Sequence, residues 1–227
     1  MAAYKSKLLS LVIVLSGCAA YQKVPIDGKT AAALKGQTIT YTARKMPNFE
    51  LYTASNNGQG AFQELARISE GNEVVAKNGI ADPTAAVAMG VLKALENSRG
   101  ARPATSPVAL EGADDVSRVA ALAGTTARFV VDVKTIKWNA NWSTPFGWTS
   151  GYRILYLAGA RLLDVQTKAV VAEGGCKYFP EAGANDPKYD ELLANGAERL
   201  KQEMGKAVAE CLSQLRSEML SLPGTPP

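Results

Sequence analysis

The sequence of 227 residues contains no histidine. This absence excludes the Ser-His-Asp and Cys-His nucleophile systems, and it removes the side chain that most often binds a metal. Carboxylates remain as candidates for acid–base chemistry, with Asp114 beside Asp115, and Asp186 near Asp190 and Glu191. Each group is explained by the favourable charge of a carboxylate at a helix N-terminus. The sequence therefore predicts no catalytic residue, no metal and no cofactor, and a protein that is not an enzyme.

A basic surplus and a long apolar segment are also lacking. The chain has 25 basic and 21 acidic residues, and 23 basic residues remain without the N-terminal Lys5 and Lys7. This balance gives no electrostatic basis for binding nucleic acid. The apolar run at residues 8–15 has only eight residues. Because about 20 apolar residues are needed to span a bilayer, this run is too short for a transmembrane anchor.

The N-terminal segment combines Lys5 and Lys7, the apolar run and a cysteine at position 18. A basic region, an apolar region and small residues before a cleavage point are typical of a secretory signal peptide. An ordinary signal peptide favours Ala-x-Ala at the cleavage point, whereas residues 15–18 read Leu-Ser-Gly-Cys and resemble the lipobox of bacterial lipoproteins. The resemblance implies that residues 1–17 are removed and that Cys18 becomes a lipidated N-terminus.

The residue after Cys18 is Ala19. In lipoproteins of Gram-negative bacteria an Asp at this position tends to retain the protein at the inner membrane, so the resemblance implies an outer-membrane protein that faces the periplasm. Residues 18–36 contain Pro25 and Gly28 without sustained periodicity, which indicates a lipid-anchored tether. We expect a single domain over residues 37–222 and a disordered tail over 223–227.

Two cysteines remain besides Cys18, namely Cys176 and Cys211. The periplasm is oxidising, so an even number of remaining cysteines favours a disulfide bond between them. The alternative is two buried free thiols. Cys176 lies on the apolar side of a predicted strand and Cys211 on the apolar stripe of the last predicted helix. A helix that starts near Asp186 and runs straight would carry Cys211 about 36 Å along its axis. The bond therefore requires either that the loop over residues 179–185 carries the start of the helix back, or that the helix bends, for which Gly196 and Gly205 are candidates.

Hydrophobic periodicity predicts the order strand, two helices, weak strand, helix, three strands and a long C-terminal helix. The predicted strands cover residues 37–45, 108–110, 127–142, 152–165 and 169–178. The predicted helices cover residues 61–77, about 83–98, a segment after Asp115 and about 186–220. Short connections between the last three strands indicate an antiparallel meander. We expect an α+β fold: a mixed four- to five-stranded sheet with this three-strand meander and helices on one face. A helical bundle is the competing architecture.

Residues 128–133 read Arg-Phe-Val-Val-Asp-Val after a helix that ends in Ala-Gly-Thr-Thr, and residues 162–170 read Leu-Leu-Asp-Val-Gln-Thr-Lys-Ala-Val. This pattern is similar to that of periplasmic lipoproteins with an anticodon-binding-domain-like fold, of which the curli-secretion lipoproteins and the lipoprotein activators of peptidoglycan synthases are examples. The resemblance implies the fold and the compartment, and it assigns no site residue.

The most unusual segment covers residues 138–152, where the first two strands of the meander are joined. This aromatic hairpin holds all three tryptophans and two further aromatic residues: Trp138, Trp142, Phe146, Trp148 and Tyr152. These side chains could fold back as a satellite core, contact a protein partner or another subunit, or touch the membrane interface. The helix over 61–77 offers a second possible interaction surface, although a buried helix is favoured there.

These observations predict a non-enzymatic binding or assembly module of the cell envelope. It is held to the membrane by its lipid and contacts an envelope protein partner or a second copy of itself through the aromatic hairpin. The alternative is a self-oligomerising secretion or channel component, and a further alternative is an enzyme acting on peptidoglycan.

Overall fold

The computed structural model describes residues 21–112, 115–143 and 151–223. Over this part of the chain there are five helices and seven strands. The helices are α1 (Gly28–Ala33), α2 (Ala61–Asn78), α3 (Thr84–Arg99), α4 (Val116–Ala123) and α5 (Tyr189–Glu218). The strands are β1 (Thr38–Arg44), β2 (Glu50–Leu51), β3 (Arg102–Pro103), β4 (Val108–Leu110), β5 (Phe129–Ser143), β6 (Gly151–Asp164) and β7 (Ala169–Tyr178).

The three longest strands, β5, β6 and β7, form an antiparallel meander. β5 and β6 pair from Phe129 opposite Asp164 to Ser143 opposite Gly151. β1 and β2 each pair in parallel with β5, and β3 and β4 each pair in parallel with β1. The sheet is therefore mixed, with the order β3-β1-β5-β6-β7 and the short strands β2 and β4 beside β5 and β1. The predicted α+β class with a three-strand antiparallel meander is confirmed.

Helices cover both faces of the sheet near the start of β5. The larger core lies between the sheet and the helices α3 and α5, and it includes Val131 and Leu162. Successive side chains of a strand point to opposite faces, so Val130 and Leu163 point away from that core. They pack in a smaller cluster with Val119 of α4. The expectation of helices on one face only is therefore corrected, because α4 covers part of the other face.

Residues 21–36, which the sequence assigned to the tether, are packed on the domain. Asp27 caps α1, and Ile26 and Leu34 are buried in the larger core. Val24 forms an isolated antiparallel bridge with Glu173 of β7. The domain therefore begins before the predicted residue 37, and only Ala19 and Ala20 lie between Cys18 and the described part of the chain.

The C-terminal helix α5 begins at Tyr189, not at Asp186 as the sequence suggested. The side chain of Glu191, in its first turn, accepts the backbone N–H of Lys188 at 2.9 Å. Asp186 instead accepts a hydrogen bond from the backbone N–H of Gly183 at 3.2 Å. The bond from Lys188 to Glu191 gives a partner to an N–H group at the N-terminus of the helix, where the backbone of the helix supplies none.

The helix α5 is interrupted at residues 194–197. Asn195, Gly196 and Ala197 have φ angles of 53°, 70° and 58°, in the left-handed region. The bend expected at Gly196 is confirmed, whereas Gly205 lies in regular helix. Left-handed conformation costs about 1–2 kcal/mol for each residue with a Cβ, so packing around the buried Ala197 must compensate for the strain.

Candidate functional site

Cys176 of β7 and Cys211 of α5 form a disulfide bond, which confirms the predicted pairing. Their Cα atoms are 4.9 Å apart, and both side chains are buried. The interruption at residues 194–197 explains how Cys211 comes within reach, because it separates the first turn of α5 from the long segment that packs on β7. The bond ties the last helix to the last strand of the meander.

Cys18 lies outside the described residues, so its lipidation stays a prediction. Phe146 and Trp148 of the aromatic hairpin also lie outside them. None of the helices that the structure describes is long and apolar enough to cross a membrane.

Trp138 belongs to the core and is not available as a contact surface. Its side chain is 1% exposed, and its ring meets that of Phe49 edge-on with 4.9 Å between centroids. The indole N–H donates to the backbone carbonyl of Pro47 at 3.3 Å. Trp138 therefore packs in the larger core and not in a separate satellite core, and burial of the ring and pairing of its N–H leave no surface for a partner to bind.

Trp142, which is partly buried, and Tyr152, which is only 6% exposed, line an open groove of about 640 Å³. The two residues are opposite each other on β5 and β6. Tyr189, at the first turn of α5, completes the aromatic wall; its ring centroid lies 5.9 Å from that of Tyr152, and the residue is 40% exposed. The remaining lining residues are polar or small: Thr53, Ala54, Ser55, Glu70, Lys188 and Asp190. The structure therefore brings two of the five predicted aromatic residues together with a third that the sequence did not single out.

A second cavity of about 450 Å³ adjoins the groove and shares Glu70 and Tyr189 with it. It lies between α2 and α5 and is lined further by Glu73, Val74, Lys77, Asn78, Leu193 and Gly196. The interrupted segment of α5 therefore forms part of its wall. Together the two cavities form one groove, which we call the α2–α5 groove.

The loop that forms one side of the α2–α5 groove is held in place by Asn56. This residue is 2% exposed, and its side-chain oxygen accepts the N–H of Thr53 at 2.7 Å. Its amide donates to the carbonyl of Leu51 at 3.0 Å and to Glu70 at 2.9 Å. A buried amide with all these partners fixes the loop conformation. The wall is therefore preformed, which lowers the entropic cost of binding.

Burial and nearby carboxylates make the tyrosines of the groove weak acids. Burial raises the pKa of Tyr152 to about 12, with smaller contributions from Tyr189 and from the charge of Glu70. Burial also raises the pKa of Tyr189, and the charges of Glu70, Asp190 and Glu73 add to this effect. Both phenols are therefore neutral hydroxyl donors at any ordinary pH. The groove offers aromatic faces, hydroxyl groups and carboxylate acceptors.

Among the described residues, no group of three or more Cys, Asp or Glu side chains is placed to hold a metal ion. The carboxylates named in the sequence analysis have structural positions: Asp115 caps α4 by accepting the N–H of Ser117 at 2.9 Å, and Asp190 and Glu191 lie in the first turn of α5. Asp114 lies outside the described residues.

Sequence reasoning missed the part that α2 plays in the groove. The favoured prediction of a buried helix is wrong for its first half, since Phe62 and Leu65 are 85% and 63% exposed. Along α2 only Gly71 and Val75 are buried, so the helix touches the domain with one narrow face and presents Glu70 to the groove. The signals present in the sequence were the mid-helix glycine and the polar run at 55–60.

No family model matches the sequence, and no curated protein matches it. Among solved structures, the chain shows distant similarity to the PelC dodecamer from Paraburkholderia phytofirmans, with 12% identity and a TM-score of 0.35 over 88% of this chain and 95% of that chain. It is similar to lipoprotein GNA1162 from Neisseria meningitidis, with 10% identity and a TM-score of 0.27 over 65% and 87% of the two chains. The LpoB C-terminal domain from Escherichia coli gives 14% identity and a TM-score of 0.22 over 64% and 84%.

Proposed function

We propose that this protein is a lipoprotein of the outer membrane that faces the periplasm and acts as a non-enzymatic binding module for another envelope protein. Two features support the compartment. Residues 15–18 read Leu-Ser-Gly-Cys, and Cys176 and Cys211 form a buried disulfide bond, which persists in oxidising compartments. The absence of histidine supports a role without catalysis.

The observation that carries the binding role is the aromatic wall of the α2–α5 groove, in which Tyr189 is 40% exposed, Trp142 is partly buried and Tyr152 forms the buried base. Trp142, Tyr152 and Tyr189 converge there on a cavity of about 640 Å³. Tryptophan and tyrosine dominate the energetics of protein interfaces, since each offers a large rigid surface with a polar group at its edge. A polypeptide segment fits this chemistry, because its apolar side chains can pack on the rings while its backbone N–H groups donate to Glu70 and Asp190.

Crosslinking in intact cells tests this proposal. A photo-reactive phenylalanine analogue replaces Ala54, which is exposed and lines the groove, or Ala109, which is exposed on β4 at the far side of the sheet. We expect an adduct with an envelope protein from position 54 and none from position 109. The adduct should disappear in Trp142→Ala and persist in Met89→Ala, a matched truncation of an exposed side chain on α3. Adducts that survive Trp142→Ala and Tyr189→Ala together would contradict the groove as the contact site.

Self-assembly is the second candidate, and the exposed apolar pair on α2 favours it. Phe62 and Leu65 are three residues apart on the helix and therefore lie on one face. An exposed phenylalanine and leucine side by side are typical of a contact surface. Native mass measurement of the lipidated protein in detergent separates the two candidates, because a ring that reverts to monomers in Phe62→Ser/Leu65→Ser supports self-assembly, and a monomer in the unmodified protein excludes it.

A further inference from the structure

Tyr21, the first described residue, lies on the face of the sheet opposite to α3 and α5. Its ring occupies the space above Gly159 of β6, where an added Cβ would overlap the ring carbons. Gly175 of β7 lies opposite Gly159 in the register and also borders Tyr21. The neighbouring Ala158 and Ala160 belong to the core beneath α3 and α5, so Gly159 points to the other side. Two glycines thus form a shallow seat for this tyrosine.

The segment after Tyr21 is fastened to the edge of β7. Val24 and Glu173 exchange both backbone hydrogen bonds, at 2.9 and 2.8 Å. The N–H of Ile26 donates to the carbonyl of Met219 at 2.8 Å, next to the end of α5. Reciprocal backbone bonds of this kind extend the sheet by one short strand pair. The chain therefore leaves the domain at Tyr21 and not at residue 36.

The distance from the lipid to the domain follows from this attachment. Cys18 precedes Tyr21 by three residues, which span at most about 10 Å when fully extended. A free tether over residues 18–36 would reach about 60 Å. The inference from here on rests on the proposed lipidation of Cys18. With that lipid in the membrane, the face of the sheet that carries Tyr21 stays within about one lipid headgroup layer of the bilayer.

The side chains around Tyr21 suit a membrane surface. Lys134 of β5 lies opposite Gly159 in the register. Two residues before Gly159 on β6, Leu157 is flanked by Lys137 of β5 and Lys177 of β7. Ile136, at the irregular point of β5, is 53% exposed. Lysine stems lie along apolar surface while their ammonium groups reach phosphates, and tyrosine and isoleucine fit the boundary between headgroups and acyl chains.

Asp132, Glu173 and Glu50 lie on the same face, and they do not reverse its charge. Glu50 of β2 is opposite Asn139 in the register, and its carboxylate lies 3.9 Å from the ammonium group of Lys137. Asp132 forms ion pairs with both Arg44 and Arg161. The Nε atom of Arg44 lies 2.8 Å from Oδ1 of Asp132. Glu173 lies opposite Arg161 in the register, on the β7 side. Basic groups therefore outnumber acidic ones on this face, which favours contact with anionic headgroups.

We propose that the outer face of the β5–β6–β7 meander, centred on Tyr21 and its glycine seat, lies against the headgroups of the membrane that holds Cys18. The domain is thus oriented by a short anchor and a complementary face instead of tumbling on a long tether. Tyr152 and Gly159 are seven residues apart on β6 and point to opposite faces. The α2–α5 groove, which Tyr152 lines, consequently opens away from the membrane toward the periplasm.

Fluorescence quenching by lipids tests this orientation in the full lipidated protein. Ile136→Cys or Met89→Cys supplies a single free thiol for a fluorophore, because Cys176 and Cys211 are bonded to each other. Both positions are about half exposed, at 53% and 51%, and they lie on the outer face of the meander and on α3 respectively. In vesicles that contain headgroup-labelled quencher lipids, we expect quenching at position 136 to exceed that at position 89 severalfold. Equal quenching, or more at position 89, would overturn the proposal.

Three controls separate this proposal from the others. A flexible Gly/Ser linker inserted between Ala20 and Tyr21 should reduce quenching at position 136 to the level at position 89, and unchanged quenching would show that the short anchor does not orient the domain. Disulfide-linked dimers through position 136 would make this face a contact between copies and also overturn the proposal. Flotation with vesicles that is lost in Cys18→Ser supports the lipid anchor itself. A protein that floats without any difference in quenching refutes the orientation alone, and one that does not float refutes the proposed lipoprotein.

Discussion

Gly71 of α2 lies directly against the backbone carbonyl of Phe49, so closely that an added Cβ would overlap the oxygen. The carbonyl carbon of Phe49 would be only 2.8 Å from that Cβ. The side-chain oxygen of the next residue, Asn72, accepts the backbone N–H of Phe49 at 3.0 Å. These contacts dock α2 on the segment that leads into β2 and place Glu70 at the groove. The glycine that weakens the helix is thus the residue that allows its close packing.

The first prediction concerns Gly71→Ala. Because the new methyl group meets backbone and not a movable side chain, α2 must shift, and we expect a loss of about 1–3 kcal/mol in the free energy of unfolding. Urea denaturation measures it. Gly205→Ala in α5 is the matched control, since nothing lies within 4 Å of its added Cβ and alanine should stabilise that helix by about 0.5–1 kcal/mol. Equal effects at both glycines would contradict the close approach at Phe49.

The example of Gly71 shows how far the sequence could predict this fold. Periodicity of apolar residues located all the long elements within a few residues, because that signal is local. The contact between Gly71 and Phe49 joins residues that are distant in the sequence, and so does the groove wall made by Trp142 and Tyr189. A sequence pattern records that a glycine is present but not what approaches it, so the groove could not be predicted although two of its aromatic residues were.

The second prediction concerns the disulfide bond. Cys176 and Cys211 are 35 residues apart, and loop entropy for a crosslink of this length gives a stabilisation of about 4 kcal/mol. We expect reduction, or the double variant Cys176→Ala/Cys211→Ala, to lower the urea midpoint accordingly. Thiol alkylation of unreduced periplasmic protein, read by mass spectrometry, should find neither cysteine labelled. Two labelled thiols in that material would show that the bond does not form in the cell.

Asp132 illustrates a buried charge whose role the sequence did not reveal. Alternation along the strand places Asp132 on the face opposite to Val131 and Val133, yet its side chain is only 1% exposed. It accepts hydrogen bonds from Thr42 at 2.7 Å, from Arg44 at 2.8 and 2.9 Å and from Arg161. The alternation of polar and apolar residues predicts which face of the sheet a side chain points to, but not which residues it contacts. The partners come from other strands, so they could not be read from the pattern around Asp132.

The third prediction uses this cluster. Burial alone would raise the pKa of the Asp132 carboxyl, but the hydrogen bonds and charges of Arg44 and Arg161 outweigh it and hold the pKa below its ordinary value of 3.8. A carboxyl with a lowered pKa in the folded state stabilises the protein above pH 3.8, and this stabilisation is lost as the pH falls toward its folded value. Asp132→Asn should therefore cost about 3 kcal/mol at pH 7, because two arginines lose their charged partner.

The free energies of unfolding of the unmodified protein and of Asp132→Asn should differ less as the pH falls below about 4. Chemical denaturation at a series of pH values measures this difference. Asp164 and Glu203 also have lowered pKa values, since Arg128 and Lys206 respectively counter the effect of burial. Both carboxyls are present in the variant, so their contributions cancel in the comparison. A difference that stays constant from pH 7 to pH 3 would mean that the charge of Asp132 contributes nothing.

The fourth prediction separates the two tryptophans that the sequence grouped together. Trp138→Ala removes a ring that is 1% exposed and packed on Phe49, so the free energy of unfolding should fall by about 3–5 kcal/mol. Trp142→Ala removes a partly buried ring beside the groove and should cost much less. Thermal unfolding measures both variants. The crosslink from position 54 must then be lost in Trp142→Ala while the protein stays folded, because loss of binding that merely follows loss of stability would appear in Trp138→Ala first.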